Sequence, residues 1–351
     1  MLSANSPVLL LQHNGLTSLS GKTGLAFLRY RQGPVVAVLD PSQAGADLPL
    51  LTGIPRPVPI VASVAEGMVY GPQVAVVGLA PSGGQLPEEL RRSVAEALQA
   101  GLSVASGLHT KLATDPEFAA LLQPGQWIWD LRVEPAQLQV AAARAAALPC
   151  RRVLFLGTDM SVGKMSAALE LTAAARSQGL DARFLGTGQA GILISGAGVA
   201  LDAVRIDYAA GAVEFALLQT AAGAGPAAIV FVEGQGSFCH PGSSASLPLL
   251  RGSQPTDLVM VHRAGQGAIR ALPDVPLPPL CELIKSCETL GSFAIPNGKV
   301  APKVKAVALN TAHLGPLEAD VAIKEISMQT ELPCADPVRG GAQLLLRALL
   351  S

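Results

Sequence analysis

Two stretches of the sequence carry a glycine, five residues and then Gly-Lys: GLTSLSGKTG at residues 15–24 and GTDMSVGKMS at residues 157–166. A glycine-rich turn of this kind can bind a phosphate because its backbone N–H groups converge at a helix N-terminus, where the lysine adds a positive charge. Both stretches miss the first glycine of the strict pattern by one position. By letter matching alone the first stretch fits better, because it has Thr23 where the second has Met165.

The elements around the two stretches favour the second one. The apolar run RRVLFLG (151–157) predicts a buried strand that ends directly in the loop, and the run at 164–179 predicts a helix that starts there. A nucleotide site also needs an acidic partner for a divalent cation, and the strand-like run AIVFVEGQGS (228–237) supplies Glu233. We therefore expect ten consecutive residues to bind the phosphate: Gly157, Thr158, Asp159, Met160, Ser161, Val162, Gly163, Lys164, Met165 and Ser166.

The sequence does not distinguish between two cofactors as the ligand of this loop. Lys164 and the N–H groups around it can bind the phosphates of acetyl-coenzyme A or those of ATP with Mg²⁺. Met165 cannot provide the hydroxyl that normally ligates Mg²⁺, and Ser166 either replaces it or caps the helix. Asp159 faces a metal or a substrate amine, or it stabilises the loop by accepting backbone N–H groups.

Two residues are candidates for the catalytic proton transfer. Glu233 ends a buried strand, and we expect it to be a general base or a Mg²⁺ ligand, with a structural ion pair as the alternative. His240 lies in the Gly-, Ser- and Pro-rich segment 234–255, which is too long for a simple connector. It is the first candidate for the base that deprotonates a substrate amine, with loop packing as the alternative.

Five further side chains are expected to contact the substrate: Gln189, Asp207, His262, Arg263 and Lys22. Gln189 belongs to the glycine-rich stretch GTGQAG, which either provides donors for a carboxylate or phosphate or forms only a turn. Lys22 is the lysine of the first Gly-Lys stretch, which we expect to face the substrate and not to bind a phosphate.

His262 and Arg263 end an apolar strand, at a position suited to contacting an acidic substrate, with packing as the alternative for the histidine. Asp207 and Glu214 are seven residues apart and share a face if both lie on one helix, so they could bind an amine. Capping of that helix by Asp207 is an equal alternative.

Short apolar runs alternate with helical patterns along the whole chain, which is typical of parallel sheets covered by helices. The predicted strands are 8–11, 35–40, 59–62, 74–79 and 102–105 in the first half, and 151–157, 182–185, 228–233, 257–262 and 304–310 in the second. The stretch WDLRVEPAQLQVAAARAAALPCRR (129–152) predicts a strand end, then an Ala-rich helix, then a proline break before a new strand. We place a domain boundary there, which gives an α/β fold with domains 1–147 and 148–351.

The composition and charge of the chain limit the classes of partner that we expect. The net charge is −1 and no basic run interleaves with aromatic residues, so we expect a small-molecule substrate and no nucleic acid. Five cysteines without a CxxC pair are typical of free thiols in a reducing compartment. Because no apolar run approaches the ~20 residues that span a bilayer, we expect a cytoplasmic protein without a membrane partner. So apolar and weakly charged a chain is also expected to form a homo-oligomer.

Several long stretches resemble one family. They include GKTGLAFLRY, LAPSGGQLPEELRRSV, GLHTKLATDPEF, WDLR, GTGQAGILISGAGVALDAVRIDYAAGAVE, VEGQGSFCHPGSSASLPLLRGSQPTDLVMVHRAG and VALNTAHL. They are similar to the DgcN-type, or D-glutamate N-acetyltransferase-like, family. The resemblance implies a Rossmann-like N-terminal domain, a C-terminal P-loop domain, and transfer of an acetyl group from acetyl-coenzyme A to a D-amino acid.

A shorter resemblance supports a second hypothesis. GTDMSVGKMS and VEGQGS are similar to the phosphate loop and acidic strand of dethiobiotin synthetase. That likeness implies an ATP- and Mg²⁺-dependent enzyme that activates a carboxylate. The same loop also allows a third hypothesis, in which the protein binds a nucleotide and catalyses no reaction.

Overall fold

The computed structural model of the protein describes residues 2–81 and 86–351. Part of the stretch LAPSGGQLPEELRRSV, residues 82–85, lies outside the described residues. The chain divides into two compact units, one of Met1–Val133 with Gln189–Ala200, and one of Glu134–Gly188 with Leu201–Ser351. The α/β fold with parallel sheets is confirmed. The boundary between residues 147 and 148 stays a prediction.

Parallel strands and covering helices alternate along the chain. The strands are β1 (Val8–Leu11), β2 (Val35–Leu39), β3 (Ile60–Val61), β4 (Val74–Val77), β5 (Ser103–Ser106), β6 (Ile128–Asp130), β7 (Arg151–Gly157), β8 (Ala182–Leu185), β9 (Ile229–Val232), β10 (Asp257–Arg263), β11 (Ala268–Ile269), β12 (Leu272–Pro276), β13 (Lys303–Asn310) and β14 (Cys334–Ala335). The α-helices are α1 (Lys22–Tyr30), α2 (Leu48–Thr52), α3 (Val64–Met68), α4 (Glu88–Gln99), α5 (Pro116–Leu121), α6 (Lys164–Ser177), α7 (Gln189–Ser195), α8 (Ile206–Thr220), α9 (Ser246–Ser253), α10 (Leu280–Ser292), α11 (Pro316–Thr330) and α12 (Ala342–Leu350).

The first unit holds a parallel sheet with the strand order β3-β2-β1-β4-β5-β6. Its core packs the valine and leucine side chains of these strands against α4 and α5, with Phe118 fully buried. Helix α5 starts with a capped first turn, because Asp115 accepts a hydrogen bond from the Glu117 N–H and Pro116 occupies the first helical position.

In the same unit the first Gly-Lys loop joins β1 to α1, and its turn is filled by a side chain. The amide of Gln12 is fully buried, and its Nε2 donates to Gly21 O at 2.8 Å. A Cβ on Gly21 or on Gly24 would clash with this amide. Lys22 begins α1 with its side chain exposed. The space that a phosphate would need in this loop is therefore taken by protein.

The second unit holds a parallel sheet with the strand order β14-β13-β10-β7-β9-β8. The central strand, β7, lies between β10 and β9, so its carboxyl end has a strand end on each side. Phe155 and Phe231 pack in the core with ring centroids 6.2 Å apart. Parallel β7 and β10 lead loops to the same edge of the sheet, and this edge carries the candidate site.

Two predicted elements differ from the structure. The Ala-rich segment 135–147 is not an α-helix, and only Arg144–Ala147 form a 3₁₀ turn. The backbone N–H groups of Ala142 and Arg144 bind the buried carboxylate of Glu214, which replaces the helical hydrogen bonds. The segment 234–255 is also not one long loop, because α9 occupies its second half.

Candidate active site

The phosphate loop connects β7 to α6 with two left-handed residues. Ser161 has φ 57°, and Gly163, directly before the helix, has φ 112°, a conformation that side-chain-bearing residues rarely adopt. Lys164 is the first residue of α6. The N–H groups of this first turn have no intrahelical acceptor, and they meet the positive end of the helix dipole. The strand, loop and helix thus have the order that binds an anion.

The side chain of Lys164 packs closely against two glycines. A Cβ on Gly157 or on Gly234 would come within 2.9 Å of Lys164 Cδ. The ammonium group donates to Asp159 O at 2.8 Å, and only 6% of the residue is exposed. Burial lowers the pKa of Lys164 to about 8, although the negative charges of Asp159 and Glu233 oppose that shift.

Glu233 follows β9 directly and is almost completely buried. Its Oε2 accepts the backbone N–H groups of Thr187 at 2.9 Å and Gly188 at 3.1 Å, and its Oε1 accepts Gln235 Nε2 at 3.2 Å. Burial raises the pKa of Glu233 to about 7, while the two N–H groups and the charge of Lys164 lower it. A carboxyl group with a pKa near neutrality can accept and return a proton at physiological pH.

Asp159 lies inside the phosphate loop and is 2% exposed. Its Oδ1 accepts the Met160 N–H at 2.6 Å. Its Oδ2 accepts Gln266 Nε2 at 2.7 Å and the Arg270 N–H at 2.9 Å, both from the segment that follows β10. The carboxylate therefore stabilises the loop through three N–H groups, which agrees with the second of the two roles that the sequence left open.

Thr158 is bound from two neighbouring strand ends. Its Oγ1 lies 3.0 Å from Nδ1 of His262, near the end of β10, and its carbonyl accepts Ser237 Oγ at 2.8 Å. His262 is 8% exposed, and burial lowers its pKa to about 4, so the ring is neutral at physiological pH. Arg263, the next residue, ends β10 and is half-buried.

Three residues that the sequence analysis did not single out also fix the loop: Ser237, Gln266 and Asn310. Asn310 ends β13, and its Nδ2 donates to Val162 O at 2.9 Å. All three lie within a few residues of the carboxyl end of β9, β10 or β13. A polar residue at such a strand end was the available signal, since parallel strands gather their carboxyl ends at one edge.

His240 lies half-buried in the loop after β9, and its ring is engaged locally. Nδ1 accepts the Gly242 N–H at 3.0 Å. A neutral imidazole that accepts at Nδ1 carries its proton on Nε2, so the free edge of the ring is a donor. Cys239 beside it has a raised pKa because it is partly buried, which disfavours the thiolate.

The other predicted substrate residues belong to the first unit or to α8. Gln189 begins α7 in the first unit, where its Nε2 donates to Thr23 Oγ1 at 3.3 Å, and Lys22 belongs to that unit too. Asp207 is exposed in the first turn of α8 and lines a cavity of about 800 Å³. Glu214 is fully buried on the same helix and is engaged by the 142–144 segment, so it does not share an amine site with Asp207.

The described part of the chain contains no group of three or more His, Cys, Asp or Glu side chains placed to hold a metal ion. The side chain of Met165 is partly buried and packs against the core cluster that includes α6. Among residues 2–81 and 86–351, no helix combines the length and the apolar character needed to cross a bilayer.

Comparison with known proteins gives consistent results for both halves of the chain. A family model described as the P-loop domain of a domain of unknown function, DUF1611, matches residues 139–346, and the model of its Rossmann-like N-terminal domain matches residues 41–134. A protein of Tritonibacter scottomollicae named D-glutamate N-acetyltransferase is 33% identical over 349 residues, 98% of each chain. A Pseudoalteromonas protein of the same name is 34% identical over 82% of this chain and 84% of its own.

A solved structure is also similar along its full length. The crystal structure of a DUF1611 protein from Anabaena variabilis has a TM-score of 0.91 and 52% sequence identity, and the match covers 99% of both chains. The fold described above is therefore similar to one known from experiment.

Proposed function

The chain belongs to the DUF1611 family, and we propose that it is an N-acetyltransferase that moves an acetyl group from acetyl-coenzyme A to the amine of D-glutamate or a related D-amino acid. The two relatives with that name, which match over most of their length, support the reaction type. One structural observation carries the proposal: the buried carboxyl group of Glu233, which accepts the Thr187 and Gly188 N–H groups, accompanies a phosphate loop whose Lys164 is also buried. Burial raises the pKa of Glu233 to about 7.

The loop suits the phosphates of the coenzyme better than hydrolysis of a nucleotide. Coenzyme A has a pyrophosphate and a 3′-phosphate, and either fits the N–H groups of the α6 first turn with Lys164. Nucleotide hydrolysis would need a hydroxyl ligand for Mg²⁺ at the residue after the lysine, where Met165 instead packs on the core. Binding a phosphate and cleaving one are separate tasks, and this loop is equipped for the first.

Proton transfer is the task of the chain's own side chains. The ammonium group of an amino acid must lose a proton before its nitrogen can attack, and Glu233 is ionised and able to accept a proton above pH 7. His240 would donate from Nε2 to the carbonyl oxygen that becomes negative, because its Nδ1 already accepts the Gly242 N–H.

Acetyl-coenzyme A would supply the acyl carbon. The amine nitrogen attacks the acyl carbon to form the new C–N bond, and the tetrahedral adduct then collapses as the C–S bond breaks and the sulfur leaves as a thiolate. The nitrogen loses two protons in all: Glu233 takes the first and returns it to the thiolate, and the second passes to solvent. The products are the N-acetyl amino acid and free coenzyme A.

The proposal is tested by following both products. Purified protein is given acetyl-coenzyme A with D-glutamate, with a panel of other D-amino acids, and with L-glutamate; free thiol is titrated and N-acetyl product is identified by mass spectrometry. We expect turnover with one or more D-amino acids and a fall of about 10²-fold or more in kcat/KM for Lys164→Ala, given the magnitude typical of lost phosphate contacts.

No thiol release above the blank with any amino acid would refute acetyl transfer. A parallel assay with ATP, Mg²⁺ and the same acids measures ADP. ADP that forms only when an acid is present, and that disappears in Lys164→Ala, would assign the loop to carboxylate activation instead.

A further inference from the structure

The segment that follows β10 forms a small hairpin over the phosphate loop. Strands β11 and β12 pair antiparallel, and Arg270 lies at the turn between them with its side chain exposed. The base of the hairpin is closed by a hydrogen bond from the Leu277 N–H to Gly267 O at 2.9 Å. Ile269, beside the arginine, is 1% exposed and anchors the turn in the protein. The hairpin is thus fixed at both its base and its tip.

The tip is attached to the phosphate loop itself through one carboxylate oxygen. Asp159 Oδ2 accepts both Gln266 Nε2 and the Arg270 N–H, and Gln266 Nε2 also donates to Ala268 O at 2.9 Å. The other face of the same aspartate receives the ammonium group of Lys164 at its backbone carbonyl. Arg270, through its backbone N–H, and Lys164, through its ammonium group, therefore both contact Asp159.

These contacts bring the arginine within reach of a phosphate on the loop. The backbone nitrogen of Arg270 lies less than 3 Å from Asp159 Oδ2, and Lys164 Nζ lies less than 3 Å from the backbone carbonyl oxygen of Asp159. An extended arginine side chain reaches roughly 6–7 Å from its Cα by ordinary bond lengths. The guanidinium can therefore approach a phosphoryl group that is bound to Lys164 and to the first turn of α6.

The charge balance of the site favours such a contact. Asp159 and Glu233 place carboxyl groups beside a loop that must attract an anion, and Lys164 alone offsets one charge. A nucleotide or coenzyme has several phosphoryl charges, and a planar guanidinium binds phosphate oxygens in pairs. An arginine side chain within reach of the loop would add a second positive charge.

We propose that Arg270 is a second phosphate-binding cation of this site, presented by the 264–277 hairpin, and that Asp159 is the positioning residue that holds the hairpin on the loop. The inference rests on the proposed function only in assigning a phosphoryl-bearing ligand to the loop. Coenzyme A and ATP share that chemistry, and the experiment separates them.

Calorimetric titration with coenzyme A, with ATP and with adenosine 3′,5′-bisphosphate tests the cation. The variants are Arg270→Gln, Arg270→Lys and the matched control Arg151→Gln, an arginine at the other end of β7, about 20 Å from the loop at the usual rise per residue. We expect Arg270→Gln to weaken the best-bound probe by about 5- to 30-fold, Arg270→Lys to weaken it less, and Arg151→Gln to stay within twofold.

A double-mutant comparison tests the positioning role. Asp159→Asn removes the acceptor that holds the hairpin, so the affinity that Arg270→Gln costs should be smaller in the Asp159→Asn background than in the wild type, whatever Asp159→Asn does on its own to the loop. The combination of Asp159→Asn with Arg151→Gln should instead multiply the separate effects. Additive losses in the first pair would refute the link between Asp159 and Arg270.

Two results would overturn the proposal: affinity of Arg270→Gln within twofold of the wild type for every probe, or a wild-type chain that binds none of them. Thermal melting of each variant checks that it is folded. If the arginine effect is found but no amino acid is acetylated, the proposed function fails while this inference stands. The probe with the largest effect identifies the source of the phosphate.

Discussion

Thr158 Oγ1 and His262 Nδ1 lie 3.0 Å apart, and this contact ties the second residue of the phosphate loop to the neighbouring strand β10. The same pair of elements is joined by the Thr158 N–H, which donates to Val261 O at 3.0 Å. The loop therefore begins as an extension of the sheet.

His262 gives the first prediction, which concerns stability. Its pKa falls from 6.5 in the unfolded chain to about 4 in the folded one, so between these values the unfolded chain binds more protons and stability rises with pH. We expect His262 to cost about 3 kcal/mol as pH falls from 6.5 to 4. Urea unfolding at several pH values should show a shallower acid slope for His262→Gln. An NMR titration in which the His262 ring protonates near pH 6.5 would contradict the prediction.

The second prediction is a bell-shaped pH dependence of kcat/KM. The acid limb follows Glu233, which can accept a proton only as it ionises near pH 7, and the alkaline limb follows Lys164, which loses its charge near pH 8. When the pH profile of kcat is measured at saturating acetyl-coenzyme A, the alkaline limb should shift to higher pH, because a bound phosphate favours the charged lysine. The acid limb should disappear in the residual activity of Glu233→Gln; its persistence would assign the base to another group.

The third prediction separates two roles of His240. If the ring donates from Nε2, the amide of His240→Gln can replace it, and we expect kcat within about tenfold of the wild type, against a loss of about 10²-fold for His240→Ala. A base has no such substitute, since an amide does not accept a proton. Equal losses of kcat in the two variants, with unchanged melting temperature, would favour the base role.

The fourth prediction concerns the segment that replaces a helix. Glu214 is fully buried and accepts the Arg144 N–H at 2.6 Å and Arg144 Nε at 2.7 Å. Glu214→Ala leaves buried N–H groups without an acceptor, so we expect a loss of roughly 2–4 kcal/mol in the free energy of unfolding. Arg144→Ala should cost less, because that side chain is 42% exposed. Urea unfolding compares them; equal losses would mean that the ion pair matters more than the backbone contacts.

Much of this architecture follows from local patterns. The strand at 8–11 begins and ends where its apolar run does, because buried parallel strands are uninterrupted runs of apolar residues bounded by turns. The phosphate loop was located by its place between a strand and a helix, although the letters of the other Gly-Lys stretch match the motif better. Context decided because anion binding depends on backbone direction at a helix start.

The same local patterns do not predict the long-range contacts. Nothing in the alanines of 135–147 indicates that Glu214, about 70 residues later, will take their N–H groups. Asn310 lies 148 positions from Val162, whose carbonyl it binds, so only the strand order brings them together. Gln189 is close in sequence to the phosphate loop, yet it packs with Thr23 in the first unit. Such pairings are set by tertiary packing, which propensity does not predict.

The assignment of Gln189–Ala200 to the first unit means that the polypeptide passes from one unit to the other three times, near residues 133, 188 and 200. No single cut of the chain releases a whole unit. A fragment that stops at residue 134, where the N-terminal family match ends, lacks α7, which packs on α1. Joining two complete domains end to end would not give this path. If the two halves are expressed separately, the N-terminal fragment should expose the surface that α7 covers, and the C-terminal fragment should carry α7 without the helix on which it packs.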